Sequence, residues 1–189
     1  QEIAKRDNLT GLYNDRYLHI ALSRAIEDCR KRDADLSLLF IDLDYFKRVN
    51  DSHGHLAGSQ VLREVGQLLQ GKSQRVGALA ARYGGDEFAA ICCGCTPGDI
   101  AIPVGRVLRE VAEQQNLARA IPSSTLSIGA AVLHDVSEHD RSAWLIQQAD
   151  MCLYRSKQRG RNQGYRIELN NASHDDAKPV AVAPRPLTI

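Results

Sequence analysis

Two short apolar segments flank the turn Gly84-Gly85-Asp86-Glu87, and this turn restricts the fold more than any other feature of the chain. A glycine turn between two apolar segments is typical of a β-hairpin, whose strands run antiparallel. The rest of the chain alternates helical periodicity with short apolar runs. The sequence therefore predicts an α+β fold, with helices packed on a mixed or antiparallel sheet.

The individual elements follow from the spacing of apolar residues. Helices are predicted over 15–31 with Asn14 or Asp15 as the N-cap, from about 61 to Gly71, over 100–115, and from about 144 to Lys157. Strands are predicted over 36–41, 124–133 and around 165–167. We expect residues 1–6 to be the end of an upstream signalling helix, and residues 170–189, which lack periodicity, to be a disordered tail.

Composition restricts the class of protein. The 189 residues are 43% hydrophobic, enough for one core, and 24 basic residues against 23 acidic ones give a net charge of only +1. No overall field favours nucleic acid or an anionic membrane, so an anionic ligand must be bound locally. The apolar runs are far shorter than a membrane span, no signal peptide opens the chain, and five cysteines fit reduced thiols without a disulfide. We expect a cytoplasmic location.

Two pairs of acidic residues are candidates for chemistry. Asp42 and Asp44 end an otherwise apolar strand, where a buried carboxylate is costly unless positive charge compensates it. Asp86 and Glu87 lie in the hairpin turn, and if the hairpin lies beside the Asp42 strand, the acids converge. Oxygen ligands of this kind suit Mg²⁺ or Mn²⁺. Each pair alone also fits ordinary turn chemistry or a solvated hairpin tip.

A phosphate site is indicated beside these acids. The segment 45–51 begins a short helix directly after the acidic strand end, and a helix N-terminus near metal ligands attracts phosphate. Lys157 and Arg161 lie four residues apart around Gly160 at a helix end. They fit either donors to nucleotide phosphates or simple C-terminal capping, and spacing does not decide between these roles.

Five ordered blocks of sequence resemble the GGDEF family, whose typical members are diguanylate cyclases. Segment 82–88 contains Gly-Gly-Asp-Glu-Phe, and segment 7–14 resembles the family's D-x-L-T-G-L-x-N. Segment 42–51 resembles D-x-D-x-F-K-x-x-N-D and is followed by Gly54-His55. Segments 127–129 and 149–162 resemble S-I-G and A-D-x-A-L-Y-x-A-K-x-x-G-R-N. We identify residues 7–169 as a GGDEF catalytic domain.

The resemblance implies a palm-like fold similar to class III nucleotidyl cyclases, with a central, mainly antiparallel sheet surrounded by helices. It implies two divalent ions per half-site, Mg²⁺ or Mn²⁺, bound by Asp42, the carbonyl of Leu43 and Asp86, with Glu87 as a further ligand or catalytic carboxylate. The implied contacts to the nucleotide are Asn50 and position 59 for the base, and Phe46, Lys47, His55, Lys157 and Arg161 for phosphate and ribose. Because each domain binds one nucleotide, catalysis requires a homodimer, which an upstream sensor domain would align.

Two positions depart from the family pattern. The block G-H-x-x-G-D ends here in Ser59, where the family has the guanine-reading Asp. Serine both donates and accepts, so rejection of adenine should weaken. The same change marks the hybrid promiscuous branch, whose members also make 3′,3′-cyclic GMP-AMP. The product-inhibition motif R-x-x-D ends in Ala78, so Arg75 lacks its partner and feedback inhibition should be weak or absent.

The sequence thus predicts a cyclic dinucleotide synthase that condenses two purine nucleoside triphosphates and releases pyrophosphate, using GTP and, through Ser59, also ATP. Two alternatives remain open. One is a strict diguanylate cyclase, in which Ser59 still binds guanine with water filling the gap. The other is a non-catalytic nucleotide-binding module, although such modules usually lose the acids that this chain keeps.

Overall fold

The computed structural model describes residues 4–97, 125–134, 141–169 and 178–181. Its helices are α1 (Asp15–Arg32), α2 (Phe46–Arg75) and α3 (Ser142–Gln158). Its strands are β1 (Tyr13–Asn14), β2 (Leu36–Leu43), β3 (Leu79–Gly84), β4 (Glu87–Cys93), β5 (Leu126–Leu133), β6 (Gln163–Leu169) and β7 (Val180–Ala181). The helix predicted over 100–115 lies outside these residues.

All seven strands form one sheet in the order β1-β3-β4-β2-β5-β6-β7. The central strand β2 runs antiparallel to both β4 and β5, and the Gly-Gly turn joins β3 to β4 as an antiparallel hairpin. Parallel pairs occur only towards the edges, between β1 and β3 and between β5 and β6. The predicted α+β fold with a palm-like, mainly antiparallel central sheet is confirmed.

Strand β2 separates two hydrophobic cores. All eight of its residues are buried, and they alternate between the two faces of the sheet. Leu39 and Ile41 pack with the apolar face of α2, whereas Leu38 and Phe40 pack with α1 and α3. Helices therefore cover both faces, and only the ends of β2 are free to carry chemistry.

Helix α1 begins as predicted, but α2 differs from the prediction. The Asn14 side chain accepts a hydrogen bond from the Tyr17 N–H at 2.9 Å and caps α1. Helix α2 continues through Gly71 to Arg75, so the predicted end at Gly71 is wrong. A glycine inside a helix costs only about 1 kcal/mol, and burial of Leu69 and Ser73 on either side outweighs it. Instead, Gly54, with φ 81°, breaks the helix near its start.

Helix α3 packs very closely on β5 because Gly129 has no side chain. A Cβ at this position would collide with the main chain of Ala149 and Leu153. One turn later, the Ser156 hydroxyl donates to the carbonyl of Ile128 at 2.6 Å. These contacts fix the last turn of α3, which carries Lys157, against the sheet.

The cysteines contradict the expectation of free thiols. Cys29 on α1 and Cys93 on β4, 64 residues apart, are joined as a disulfide with Cα atoms 5.8 Å apart, and Cys92 is joined to Cys95. Buried Cys152 remains free. The pairing was invisible in the sequence because it depends on α1 packing over β4.

The two ends of the described chain also differ from expectation. Residues 4–6 are not helical: Arg6 forms a bridge with Tyr13, and the Asn14 N–H donates to the Lys5 carbonyl at 2.9 Å. In the segment predicted to be disordered, Val180–Ala181 forms β7 against β6, and residues 170–177 and 182–189 lie outside the description. No helix within the described ranges is long and apolar enough to cross a membrane.

Candidate active site

The acidic residues of two neighbouring strands meet at one end of the sheet. Asp42, near the end of β2, pairs directly with Glu87, the first residue of β4. The Leu43 N–H donates to the Asp86 carbonyl at 3.3 Å and holds the hairpin turn against β2. The hairpin therefore lies beside the Asp42 strand, which is the arrangement that convergence of the acids requires.

Lys157 reaches into this group of acids from α3. Its Nζ lies 2.7 Å from Oδ2 of Asp42 and 3.9 Å from Oε1 of Glu87. The sequence left capping and phosphate binding open for Lys157, and in the structure it is an ion-pair partner of the acids. Across the described ranges, no three His, Cys, Asp or Glu side chains are grouped so as to hold a metal ion.

Burial and neighbouring acids raise the pKa of two carboxyl groups here, those of Asp42 and Glu87. Burial raises the pKa of the Asp42 carboxyl; Lys157 opposes this, and the charges of Asp86 and Asp44 add to it. Burial likewise raises the pKa of Glu87, again against the effect of Lys157 and with the charges of Asp42 and Asp86. Carboxylates held together in this way favour a bound cation. The donors, carboxylate and carbonyl oxygens, are those that Mg²⁺ or Mn²⁺ prefers.

A clamp that the sequence analysis missed fixes the hairpin turn. Arg82 on β3 donates twice to the Gly85 carbonyl, from Nε at 3.0 Å and from Nη2 at 2.6 Å. The same guanidinium pairs with Asp7 at 3.2 Å, and Asp7 accepts from the Thr10 N–H and hydroxyl. The opening sequence block thus supports the turn that carries Asp86.

The N-terminal part of α2 carries the predicted base-contacting residues. The break at Gly54 folds the start of α2 back on its remainder, so that Asn50 and Phe46 contact Gly58, where a Cβ would collide with the Asn50 side chain. Ser59 follows Gly58 directly. Asn50 and Ser59 are both partly exposed, whereas His55 is exposed just after the break.

Three of the predicted phosphate contacts lie at or beside the start of α2: Phe46, Lys47 and Arg161. This helix begins at Phe46 and has neither a side-chain N-cap nor an acidic residue in its first turn, so its N-terminal N–H groups suit an anion. Lys47 is exposed there. The Arg161 guanidinium lies over the ring of Tyr45 at 5.1 Å, next to the same helix end.

A model of the family described as diguanylate cyclase, GGDEF domain, matches residues 4–163. The chain belongs to the GGDEF diguanylate cyclase family. The chain is similar to the probable diguanylate cyclase DgcC of Escherichia coli K12, with 38% identity over 167 residues, which are 86% of this chain and 43% of DgcC. Diguanylate cyclase TpbB of Pseudomonas aeruginosa PAO1 is 36% identical over 173 residues, 89% of this chain and 38% of TpbB. The chain spans less than half the length of both relatives.

Solved structures of GGDEF domains share the fold. The GGDEF domain of DgcB from Caulobacter crescentus, crystallised with c-di-GMP, is 29% identical with a TM-score of 0.70, over 92% of this chain and 99% of that one. The GGDEF domain of TpbB from P. aeruginosa is 32% identical with a TM-score of 0.65, over 86% and 93% of the two chains.

The segment predicted as a degenerate inhibition motif lies at the opposite end of α2 from Phe46 in this GGDEF domain. Arg75 is the last helical residue and is exposed, and Val76 and Gly77 form the turn to β3. Ala78 packs against the hydrophobic core on the α2 side of the sheet. The motif therefore presents one cation at a helix end, with no carboxylate at its fourth position.

Proposed function

We propose that this GGDEF domain is one catalytic half-site of a diguanylate cyclase, which joins two GTP molecules into cyclic di-GMP and releases pyrophosphate. The direct pairing of Asp42 with Glu87 supports the proposal, because it brings an acid of β2 beside an acid of the β3–β4 hairpin. The names of the relatives support the same activity.

The acids provide the binding site for divalent ions. Asp42, the Leu43 carbonyl, Asp86 and Glu87 would hold Mg²⁺ or Mn²⁺, two ions per half-site, which supply positive charge at the reacting 3′-hydroxyl and α-phosphate. Lys157 now compensates the charge of Asp42, so it must release this carboxylate when the site is loaded. We propose that its ammonium then binds the triphosphate.

The remaining residues would position the nucleotide. The N–H groups at Phe46, the ammonium of Lys47 and the guanidinium of Arg161 surround the uncapped start of α2 and would bind the triphosphate. Asn50 and Ser59 would contact the base, and His55 the ribose. Each domain would hold one nucleotide. The 3′-hydroxyl of one nucleotide can then reach the α-phosphate of the other only when two domains face each other, so we propose a homodimer aligned by a sensor domain.

Ser59 supports a relaxed choice of base. A carboxylate at this position would accept both N–H groups of the guanine edge and repel adenine in part, whereas a hydroxyl donates and accepts. We propose that the enzyme also accepts ATP and makes 3′,3′-cyclic GMP-AMP, as members of the hybrid promiscuous branch do. A strict diguanylate cyclase is the second candidate, since Asn50 beside Gly58 remains available to guanine.

The deciding experiment is an incubation of the purified protein with Mg²⁺ or Mn²⁺ and GTP, ATP or an equimolar mixture, followed by chromatography and mass analysis of the products. Cyclic di-GMP from GTP supports the cyclase, and cyclic GMP-AMP from the mixture supports the relaxed base choice. The matched control is Glu87→Gln, which should abolish product. No product under forced dimerisation, with nucleotide binding retained, would establish a non-catalytic binding module instead.

A further inference from the structure

Asp44 lies beneath the site with no exposed surface. Its Oδ2 accepts hydrogen bonds from the Thr125 hydroxyl at 2.5 Å and from the Asn162 main-chain N–H at 3.0 Å, and its Oδ1 accepts from the Ser127 hydroxyl at 2.7 Å. A buried carboxylate is costly unless its lone pairs are satisfied, and these three donors satisfy it. Both carboxylate oxygens of Asp44 are therefore occupied by protein donors.

The donors to Asp44 come from two separate parts of the chain. Thr125 and Ser127 lie at the start of β5, and Asn162 lies in the loop between α3 and β6. The Asp44 N–H also donates to the Thr125 carbonyl at 2.8 Å. One side chain at the end of β2 thus ties β5 to the loop that carries Arg161.

That loop has an unusual backbone. The consecutive residues Gly160, Arg161 and Asn162 have positive φ angles of 112°, 63° and 49°. Residues other than glycine rarely adopt positive φ. Such a conformation persists only where surrounding contacts determine it. Two contacts hold the loop here: the Asn162 N–H donates to Asp44, and the Arg161 N–H donates to the Ser156 carbonyl at 3.0 Å.

Arg161 is held by the two residues that follow β2. Its Nε lies 4.0 Å from Oδ1 of Asp44, and its guanidinium lies over the Tyr45 ring. Because 4.0 Å is an ion-pair separation beyond hydrogen-bonding distance, the Nε–H group stays available to an oxygen of a bound anion.

We propose that Asp44 is a positioning residue for nucleotide binding: it holds the Arg161–Asn162 backbone in the left-handed conformation and thereby aims the Arg161 guanidinium at the triphosphate. This rests on the proposed function for its ligand, although the effect on the loop does not. Asp44 acts through Arg161 and contacts no reacting atom.

A double-mutant cycle tests the proposal through binding, with no turnover required. Affinity for guanosine 5′-[α,β-methylene]triphosphate in Mg²⁺ is measured by calorimetry for the wild type, Asp44→Asn, Arg161→Ala and the double variant. We expect Asp44→Asn alone to weaken binding on the order of 10-fold, because a charged acceptor and the ion pair are lost. In the Arg161→Ala background it should add less than about 2-fold. Equal losses in both backgrounds, or no loss, overturn the proposal.

The matched control is Ser127→Ala, which removes a donor to Asp44 without touching the loop and should leave affinity within about 2-fold of wild type. Should Asp44→Asn not fold, Thr125→Val enters the same cycle; it removes the donor that shares Oδ2 with the Asn162 N–H, and we expect a loss of about 3-fold. Additive effects there also overturn the proposal.

Amide hydrogen exchange provides a readout that needs no nucleotide. In Asp44→Asn, exchange of the Asn162 N–H should accelerate on the order of 10-fold, while that of Ala130 in β5 stays at the wild-type rate. Unchanged exchange at Asn162 overturns the proposal. Acceleration together with absent analogue binding by the wild type would instead refute the proposed function and leave the loop-holding role of Asp44 standing.

Discussion

Lys157 and Asp42, 115 residues apart in the chain, form an ion pair of 2.7 Å between α3 and the central strand β2. Burial raises the pKa of Asp42, and the Lys157 ammonium opposes this rise. The pair links α3 to β2 across the candidate site. In the proposed nucleotide-bound state, Asp42 would bind metal ions and Lys157 would bind the triphosphate. Replacing Lys157 therefore tests whether a cation is needed beside Asp42.

Replacing Lys157 should make stability depend on divalent ions. Lys157→Met removes the cation from the acids, and with EDTA present we expect a loss of about 1–2 kcal/mol, or a Tm about 3 °C lower. Mg²⁺ at millimolar concentration should restore much of this loss, because it supplies the missing charge. Thermal unfolding with and without Mg²⁺ measures both effects, and exposed Lys47→Met is the control. An equal response of the two variants to Mg²⁺ would contradict a site at the acids.

Restoring the acid at position 59 should sharpen the choice of base. In Ser59→Asp we expect cyclic GMP-AMP from the GTP and ATP mixture to fall at least 10-fold relative to cyclic di-GMP, because the carboxylate pairs with guanine and repels adenine in part. Product ratios are read by mass analysis. Ser59→Ala, which removes the hydroxyl without adding charge, is the control and should keep the mixed products. An unchanged ratio in Ser59→Asp would refute base reading at this position.

Sensitivity to product should return when the inhibition motif is completed. Ala78→Asp supplies the missing carboxylate next to Arg75, and we expect added cyclic di-GMP to slow this variant at concentrations that leave the wild type active. Initial rates are measured over a product titration. Ala78→Asn separates the charge from the size of the side chain. Inhibition of the wild type that disappears in Arg75→Ala would show that the degenerate motif still works.

His134 should make stability fall as pH rises. It lies between Asp35 and Glu168, with Nδ1 2.9 Å and Nε2 2.7 Å from their carboxylates. Burial acts to lower the pKa of His134, but the hydrogen bonds and charges of Glu168 and Asp35 outweigh it and raise the pKa. The charged imidazole thus stabilises the folded state fully below about pH 6.5, and this is lost as pH rises through the raised value.

The measurement is the Tm of wild type and His134→Gln between pH 6 and 9. The variant should be less stable at pH 6, and the difference should shrink towards pH 9. Exposed His53→Gln serves as the control and should follow the wild type throughout. A difference that grows with pH would reverse the assigned sign.

The cross-link between Cys29 and Cys93 should make stability sensitive to reductant. Closing a 64-residue span contributes about 4 kcal/mol in the chain-entropy model, so reduction should lower the wild-type Tm on the order of 10 °C. Cys29→Ala should show almost no response to dithiothreitol. Cys95→Ala, which removes only a local link across three residues, should keep the wild-type response. If dithiothreitol does not change the wild-type Tm, the thiols are free in solution.

Local patterns in the sequence account for much of the site. The Gly-Gly turn between two apolar runs predicts the hairpin, and the acids at the end of a buried run predict where β2 ends. Neither pattern reveals that Asp44 binds Thr125, 81 residues away, or the Asn162 N–H, 118 residues away. Such contacts depend on the packing of α3 and β5 around β2, which no local period encodes. The hydrogen bonds from Arg82 to the Gly85 carbonyl could not be predicted for another reason: an arginine next to a turn is typical of any exposed strand end.

The close approach of α3 to β5 makes Gly129 a remote determinant of the chemistry. Helix α3 packs directly on β5 because Gly129 has no Cβ, and this close packing sets the position of Lys157. Even alanine there would act as a wedge, lifting the last turn of α3 and separating its cation from Asp42. A displacement of about 1 Å is enough to cost an enzyme on the order of a hundredfold in rate. The absence of a side chain at Gly129 thus sets the distance between α3 and β5. In the proposed cyclase, a larger residue at position 129 should change turnover without altering any group that contacts the nucleotide.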